Sequence, residues 1–151
     1  MRRSVPALLG ALLVCLHASS TPSWAQTAPK ARGELVPFWL VIPAYPPIAQ
    51  AARSRGVVVV ALTVAADGRV QSAAIEQDVP LLSHDVLACA RDSGFICRGC
   101  TGPMTYRLEY HFQFADSLEQ AEAMRAVITS TSATLPVVAL PRVIDAQRQQ
   151  P

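Results

Sequence analysis

The run Gly56-Val57-Val58-Val59-Val60-Ala61-Leu62-Thr63-Val64 constrains this chain more than any other stretch. Its residues are mostly β-branched and apolar at both parities, whereas a half-buried strand alternates apolar with polar. Both faces of this strand are therefore expected to be covered, which makes it the central strand of a small sheet. Ala65-Ala66-Asp67-Gly68 follows, and the Asp-Gly pair supplies the positive φ of a tight hairpin turn.

What pairs with and covers that strand follows from its neighbours. Upstream, Tyr45-Pro46-Pro47 opens a helix, because proline is accepted where the first-turn N–H groups have no partner anyway. Ile48, Ala51 and Ala52 recur at helical spacing and Gly56 is placed to stop it, so the pattern predicts a helix over 46–55. Downstream, Arg69 to Glu76 reads as the second strand. Val70 and Ile75 there have opposite parity, so a bulge is required if both point inward. Leu82, Val86, Cys89 and Ala90 share one face of a second helix predicted over 80–93, with Gly94 as its cap. From Met104 the alternation is plain. Met104, Tyr106, Leu108, Tyr110, Phe112 and Phe114 fall on one parity; Thr105, Arg107, Glu109, His111 and Gln113 fall on the other. That is a long strand with one face on a core and one in water.

Connections give the topology. The second strand runs antiparallel to the first across the hairpin, and the helix after it lets the third run antiparallel on the first strand's open side. The fold expected is α+β: a three-stranded antiparallel sheet, order 2-1-3, with two helices packed on it. Ser117 and Gln120 form a capping box that starts a short C-terminal helix over 118–128. In this arrangement the strand 104–114 is an edge, and an edge exposes a row of unpaired N–H and C=O groups that recruits another strand unless blocked.

The N-terminus reads as an export signal. Arg2 and Arg3 precede an apolar run from Ala7 to Leu16, and Ser23-Trp24-Ala25 offers small residues for cleavage after Ala25. That run is shorter than the ~20 residues of a spanning helix, so periplasmic export is expected over anchoring in the inner membrane. Val14 before Cys15 argues against lipidation. Losing residues 1–25 takes the 13 basic and 11 acidic side chains to an even balance, with no basic cluster. Nucleic acid and anionic membrane surfaces are therefore excluded as expected partners. Residues 26–34 are polar, Leu35 to Pro43 is a proline-bracketed hydrophobic strap with Phe38 or Trp39 as its anchor, and residues 131–151 read as a disordered tail.

The order of Tyr45-Pro46-Pro47 with Ala49 and Ala52, then Val58 to Val64, Asp67-Gly68-Arg69-Val70, and Pro103 to Phe114, resembles the TonB C-terminal domain family. The chain then divides into a signal peptide (1–25), a leader and strap (26–44), a TonB C-terminal-like domain (45–114), a helix segment (115–130) and the tail (131–151). The resemblance implies a periplasmic, non-enzymatic interaction domain, linked in its family to energy transduction and transmembrane transport. It implies a partner too: an extended segment of an outer-membrane receptor adding as a strand beside the last strand of the domain. Carried onto this chain, the contact residues are Tyr106, Arg107, Leu108, Glu109, Tyr110, His111 and Phe112. This is β-augmentation, in which backbone hydrogen bonds give affinity and side chains tune choice. Self-pairing of the same edge would give a homodimer. A membrane-anchored transducer is the alternative if residues 1–25 are retained, but no long Pro/Lys/Glu spacer separates Gln26 from Tyr45.

The remaining chemistry is sparse. Cys97-Arg98-Gly99-Cys100 can be read as a thiol–disulfide redox pair, yet it sits in a connection to a strand rather than at a helix N-terminus, where thiol pKa values fall. A structural disulfide among Cys89, Cys97 and Cys100 is the simpler expectation. A zinc site would need His84 or His111 at matched spacing, and no such spacing is present. No Gly-x-Ser-x-Gly motif or other catalytic constellation occurs. Neither cofactor nor metal is expected.

Overall fold

The computed structural model describes residues 32–140. Residues 1–31, which hold the expected export signal and the start of the expected leader, and residues 141–151 of the expected tail lie outside the described part. The elements in order are β1 (Glu34–Trp39), α1 (Pro47–Ala51), β2 (Gly56–Val64), β3 (Val70–Gln77), α2 (Val86–Arg91), β4 (Gly94–Arg98), β5 (Met104–Phe114), α3 (Leu118–Ala123), β6 (Val127–Ile128) and β7 (Ser132–Ala139). They make an α+β fold with two sheets, a β1–β4 ribbon and a five-stranded sheet ordered β3-β2-β5-β7-β6.

The expected three-stranded order is present as the segment β3-β2-β5. Within it β2 pairs antiparallel with both neighbours. Val58, Val60, Leu62 and Val64 are wholly buried on the core face, and Val59 is buried on the other. The β2–β3 register shifts between Thr63 and Val64, which is the bulge demanded by the opposite parities of Val70 and Ile75. Gly68 takes φ +86° in the hairpin. The Phe95 backbone closes on its α-carbon, and the Phe95 N–H donates to the Gly68 carbonyl at 3.3 Å. A side chain there would meet backbone, so glycine serves both the turn and the close approach.

Several expectations need correction by shape. The first helix is one turn and a half, because Arg53 leaves it at φ 51°. The second is confined to Val86–Arg91, because Pro80 to Asp85 is turn and Leu81 sits at φ 70°; a leucine in that left-handed region cannot continue a helix. Gly94, expected as a helix cap, and residues 95–98, expected as part of a connection over 95–103, form a strand that pairs with the strap: Leu35 lies opposite Cys97 and Val36 opposite Ile96. The strap is extended as expected, but its anchor is Leu35, at 1% exposure, while Phe38 and Trp39 lie open to solvent.

The largest correction is the tail. Residues 132–139, read as disordered, are a strand running parallel to β5 over its last eight residues, from Arg107 opposite Ser132 to Phe114 opposite Ala139. Ala133, Leu135, Val137 and Ala139 are buried in the core and alternate with partly exposed residues. A parallel neighbour needs a crossover, and α3 with β6 supplies it; hence the C-terminal helix stops at Ala123 instead of reaching Ile128. The Ser117 half of its capping box is present: the Gln120 N–H donates to Ser117 Oγ at 3.1 Å. The Asp116 N–H donates to Gln120 Oε1 at 2.7 Å.

Pro136 breaks no bond in this arrangement. The Arg107 N–H donates to the Thr131 carbonyl and the Ala115 N–H to the Ala139 carbonyl, so odd-numbered residues of β7 turn their backbone groups toward β5. Even-numbered residues turn theirs outward, as the Thr129 N–H to Ser132 carbonyl bond on that side shows. Proline, which has no N–H, is tolerated at such an outward position.

Candidate partner-binding strand

β5 is eleven residues long because its alternation is unbroken and both neighbours match it. Its inward side chains Tyr106, Leu108, Tyr110 and Phe112 are 0–2% exposed. The Tyr106 hydroxyl donates to the Thr129 carbonyl at 2.9 Å, tying β5 to the turn that launches β7. The Tyr110 hydroxyl donates to the Val41 carbonyl at 3.2 Å, tying it to the strap. The Tyr45 ring meets Phe112 edge-on at 5.4 Å and Phe114 at 5.1 Å. Burial pushes the Tyr106 phenol up to about 12. Tyr110 is raised further, first by burial and then by the neighbouring Cys89, against a lowering hydrogen bond with Ser93.

The outward side chains form a charged file. Arg107 Nε lies 3.7 Å from Glu76 of β3 and 3.3 Å from Glu109, and His111 Nε2 lies 3.5 Å from the other Glu109 oxygen. The two Arg107 pairs, both partly exposed, contribute modestly, up to about 1 kcal/mol each.

Of the seven residues expected to contact a partner, four therefore belong to the core and three to this charged face. What a guest strand would need is backbone, and both sides of the β5 backbone are in use: β2 holds one and β7 the other. The expectation of an edge strand is overturned, because the chain's own residues 132–139 bury four side chains by lying there. The period-two signal in Ser132 to Ala139 was available. It is masked in the sequence by serine and threonine at one parity and by Pro136, which reads as a strand breaker until its outward orientation is known. Among the described residues, the flanks without a neighbouring strand in this sheet are the outer sides of β3 and β6 and the part of β7 beyond the two-residue β6.

The cysteines divide. Cys97 and Cys100 form a disulfide across the turn after β4, with α-carbons 5.7 Å apart. Gly33 packs against the Cys100 backbone so tightly that a side chain at 33 would collide with it. The Thr101 N–H then donates to the Arg32 carbonyl at 3.0 Å, so the bridge staples the end of the β1–β4 ribbon. Cys89 has no disulfide partner among the described residues, and burial followed by Asp85 and Asp92 pushes its thiol up, opposite to what a nucleophile needs. Among the described residues no three His, Cys, Asp or Glu side chains gather to hold a metal ion. No helix among them is long and apolar enough to cross a membrane.

A family profile described as the Gram-negative bacterial TonB protein C-terminal domain matches residues 41–114, from the strap to the end of β5. Residues 41–114 belong to the TonB C-terminal domain family. Domains of this family are periplasmic, non-enzymatic modules that interact with outer-membrane receptors. No curated protein and no solved structure matches the chain. The TonB C-terminal match stops at Phe114, so α3, β6 and β7 lie beyond it.

Proposed function

We propose that this chain is a periplasmic interaction module that captures an extended segment of a cell-envelope protein by strand addition along Tyr106–Phe112, on the flank where β7 now lies. The observation that carries this reading is β7 itself: an eight-residue strand docks there in continuous register, so that side of β5 is shaped to take one. Family membership supports an outer-membrane receptor as the partner class. A guest must replace what β7 gives up. Leu135 and Val137 are each buried, worth about 1.5–3 kcal/mol apiece, so a competent guest carries apolar side chains at every second position. Its apparent affinity is reduced by the fraction of molecules in which β7 is docked.

The test is a tether. Gln113 and Val138 are register partners, and the double variant Gln113→Cys with Val138→Cys locks β7 in place when oxidised. Peptides tiled over the N-terminal segments of outer-membrane receptors should bind the parent chain and lose binding to the tethered one. Peptides that bind both equally refute the β5 flank. The outer edge of β3, which has β2 as its only strand neighbour among the described residues, is then the acceptor, and Ala73→Pro, at a position whose N–H faces away from β2, should abolish that binding.

A further inference from the structure

The bulge in the β1–β4 ribbon turns two aromatic rings the same way. Register shifts between Pro37 and Trp39. Trp39 is then the register partner of Gly94, and the Phe38 ring lies across the same glycine. Successive strand residues normally point to opposite faces, and a bulge is the local exception. Both rings are open to solvent in consequence, Phe38 at 66% and Trp39 at 63%. Gly94 makes room for them: a β-carbon there would stand 2.7 Å from the Phe38 ring. Ile96, two residues along β4 and on that same face, is 50% exposed. The ribbon's other face carries Leu35 and Phe95, both buried in the core.

Backbone is not what this ribbon offers a partner. The Phe95 N–H turns away from β1 to donate to the Gly68 carbonyl, so the hairpin meets the outer side of β4. The register partner of Phe95 is Pro37, whose nitrogen therefore lies on the outer side of β1 and leaves that rim without a donor at its middle. An extended peptide has no continuous ladder to join. A second copy has too little to hold. Two rings of ~150–250 Å² each, exposed by about two-thirds, give ~200–320 Å². Ile96 leaves the total well short of the ~800 Å² that each partner buries in a stable interface. Charge narrows the choice further. No charged residue occurs from Leu35 to Ala52, and the ribbon's ends carry both signs. Glu34 lies opposite Arg98 at one end, and the exposed Arg91 and Asp92 come just ahead of Gly94 at the other. A tryptophan-bearing apolar face with balanced charges at its rim matches the interface of a bilayer whose headgroups are zwitterionic.

We propose that Phe38, Trp39 and Ile96 seat the domain on a zwitterionic lipid surface, with the two rings entering the headgroup boundary. The contact belongs to the ribbon, outside the sheet that holds β5, so it stands or falls apart from strand capture there.

The test uses the full chain with Trp24→Phe, which leaves Trp39 as its one tryptophan. Trp39 should emit as a solvated indole in buffer. With phosphatidylcholine vesicles its emission should shift to shorter wavelength and be quenched by lipids brominated on their acyl chains. Vesicle attachment through some other segment would leave Trp39 unmoved and overturn the proposal. Emission already shifted before lipid is added, from cover by a second copy or by the chain itself, also overturns it. Phe38→Ser should raise the lipid concentration at half-shift about five- to thirty-fold, the effect of losing two-thirds of an aromatic burial. An unchanged half-shift refutes the seat. High salt should leave the half-shift where it is, because the headgroups carry no net charge; a shift lost in salt overturns the zwitterionic assignment.

Discussion

The two strands that flank the β2–β5 pair are held in opposite ways. β3 is joined to β2 by a tight turn and buries none of its side chains fully; its pattern is small and polar, with Ser72, Ala73 and Ala74 at its middle. β7 arrives after a crossover from Phe114 to Ser132 and buries every second side chain. Loop closure costs more over the longer connection, and β7 meets that cost with apolar burial, whereas a tight hairpin lets β3 stay on the sheet with little. A strand placed by its turn can remain bare, and one placed by its own side chains cannot.

Proline separates the interior from the rim most sharply. Leu108→Pro removes a ladder bond in a strand paired on both sides and deletes a buried leucine, and should unfold the chain, seen as loss of far-UV circular dichroism. Ala74→Pro on the outer strand should leave a cooperative urea transition at a lower midpoint. Equal losses would break the contrast. Next in size, Leu135→Ala in β7 should cost about 2–5 kcal/mol in urea unfolding, against less than about 2 for Ile75→Ala in the half-exposed β3.

Alkaline titration of Tyr106 probes the β7 side. Tyr106, raised from 10 to about 12 by burial, contributes full stability below pH 10. As pH rises from 10 toward 12 the unfolded tyrosine ionises first, so stability falls, by at most about 2–3 kcal/mol at 1.4 per unit. Tyr106→Phe should flatten that part of the pH profile. Smallest is the disulfide: Cys97→Ser with Cys100→Ser should cost no more than about 2 kcal/mol, because the loop it closes is short. The extra amide exchange should be confined to β1 and β4.

The same contrast explains which elements the amino-acid sequence makes legible. The hairpin, the bulge and β5 are legible because each rests on neighbours close in sequence: Asp67-Gly68, the parity clash of Val70 and Ile75, and the unbroken alternation from Met104 to Phe114. β7 is not, because Ala133, Leu135 and Val137 are short of bulk and have meaning only beside Leu108, Tyr110 and Phe112, their partners across the crossover. β4 escapes for a similar reason. Phe95 and Cys97 alternate inward, but their partner strand lies some sixty residues upstream, and Cys97 to Cys100 read first as chemistry. The candidate site is legible as a strand and misjudged as an edge, since one unrecognised neighbour changes an edge into an interior.

Pro136 carries one last consequence. With its missing N–H aimed away from β5, it spoils the outer rim of β7 for any chain that tries to stack there, while β6 shields Ala133 and Thr134. Lateral growth of one molecule upon another is thereby discouraged at the very rim the added strand created. Pro136→Val would keep every internal bond and should make the protein precipitate, seen as a rise in light scattering with concentration.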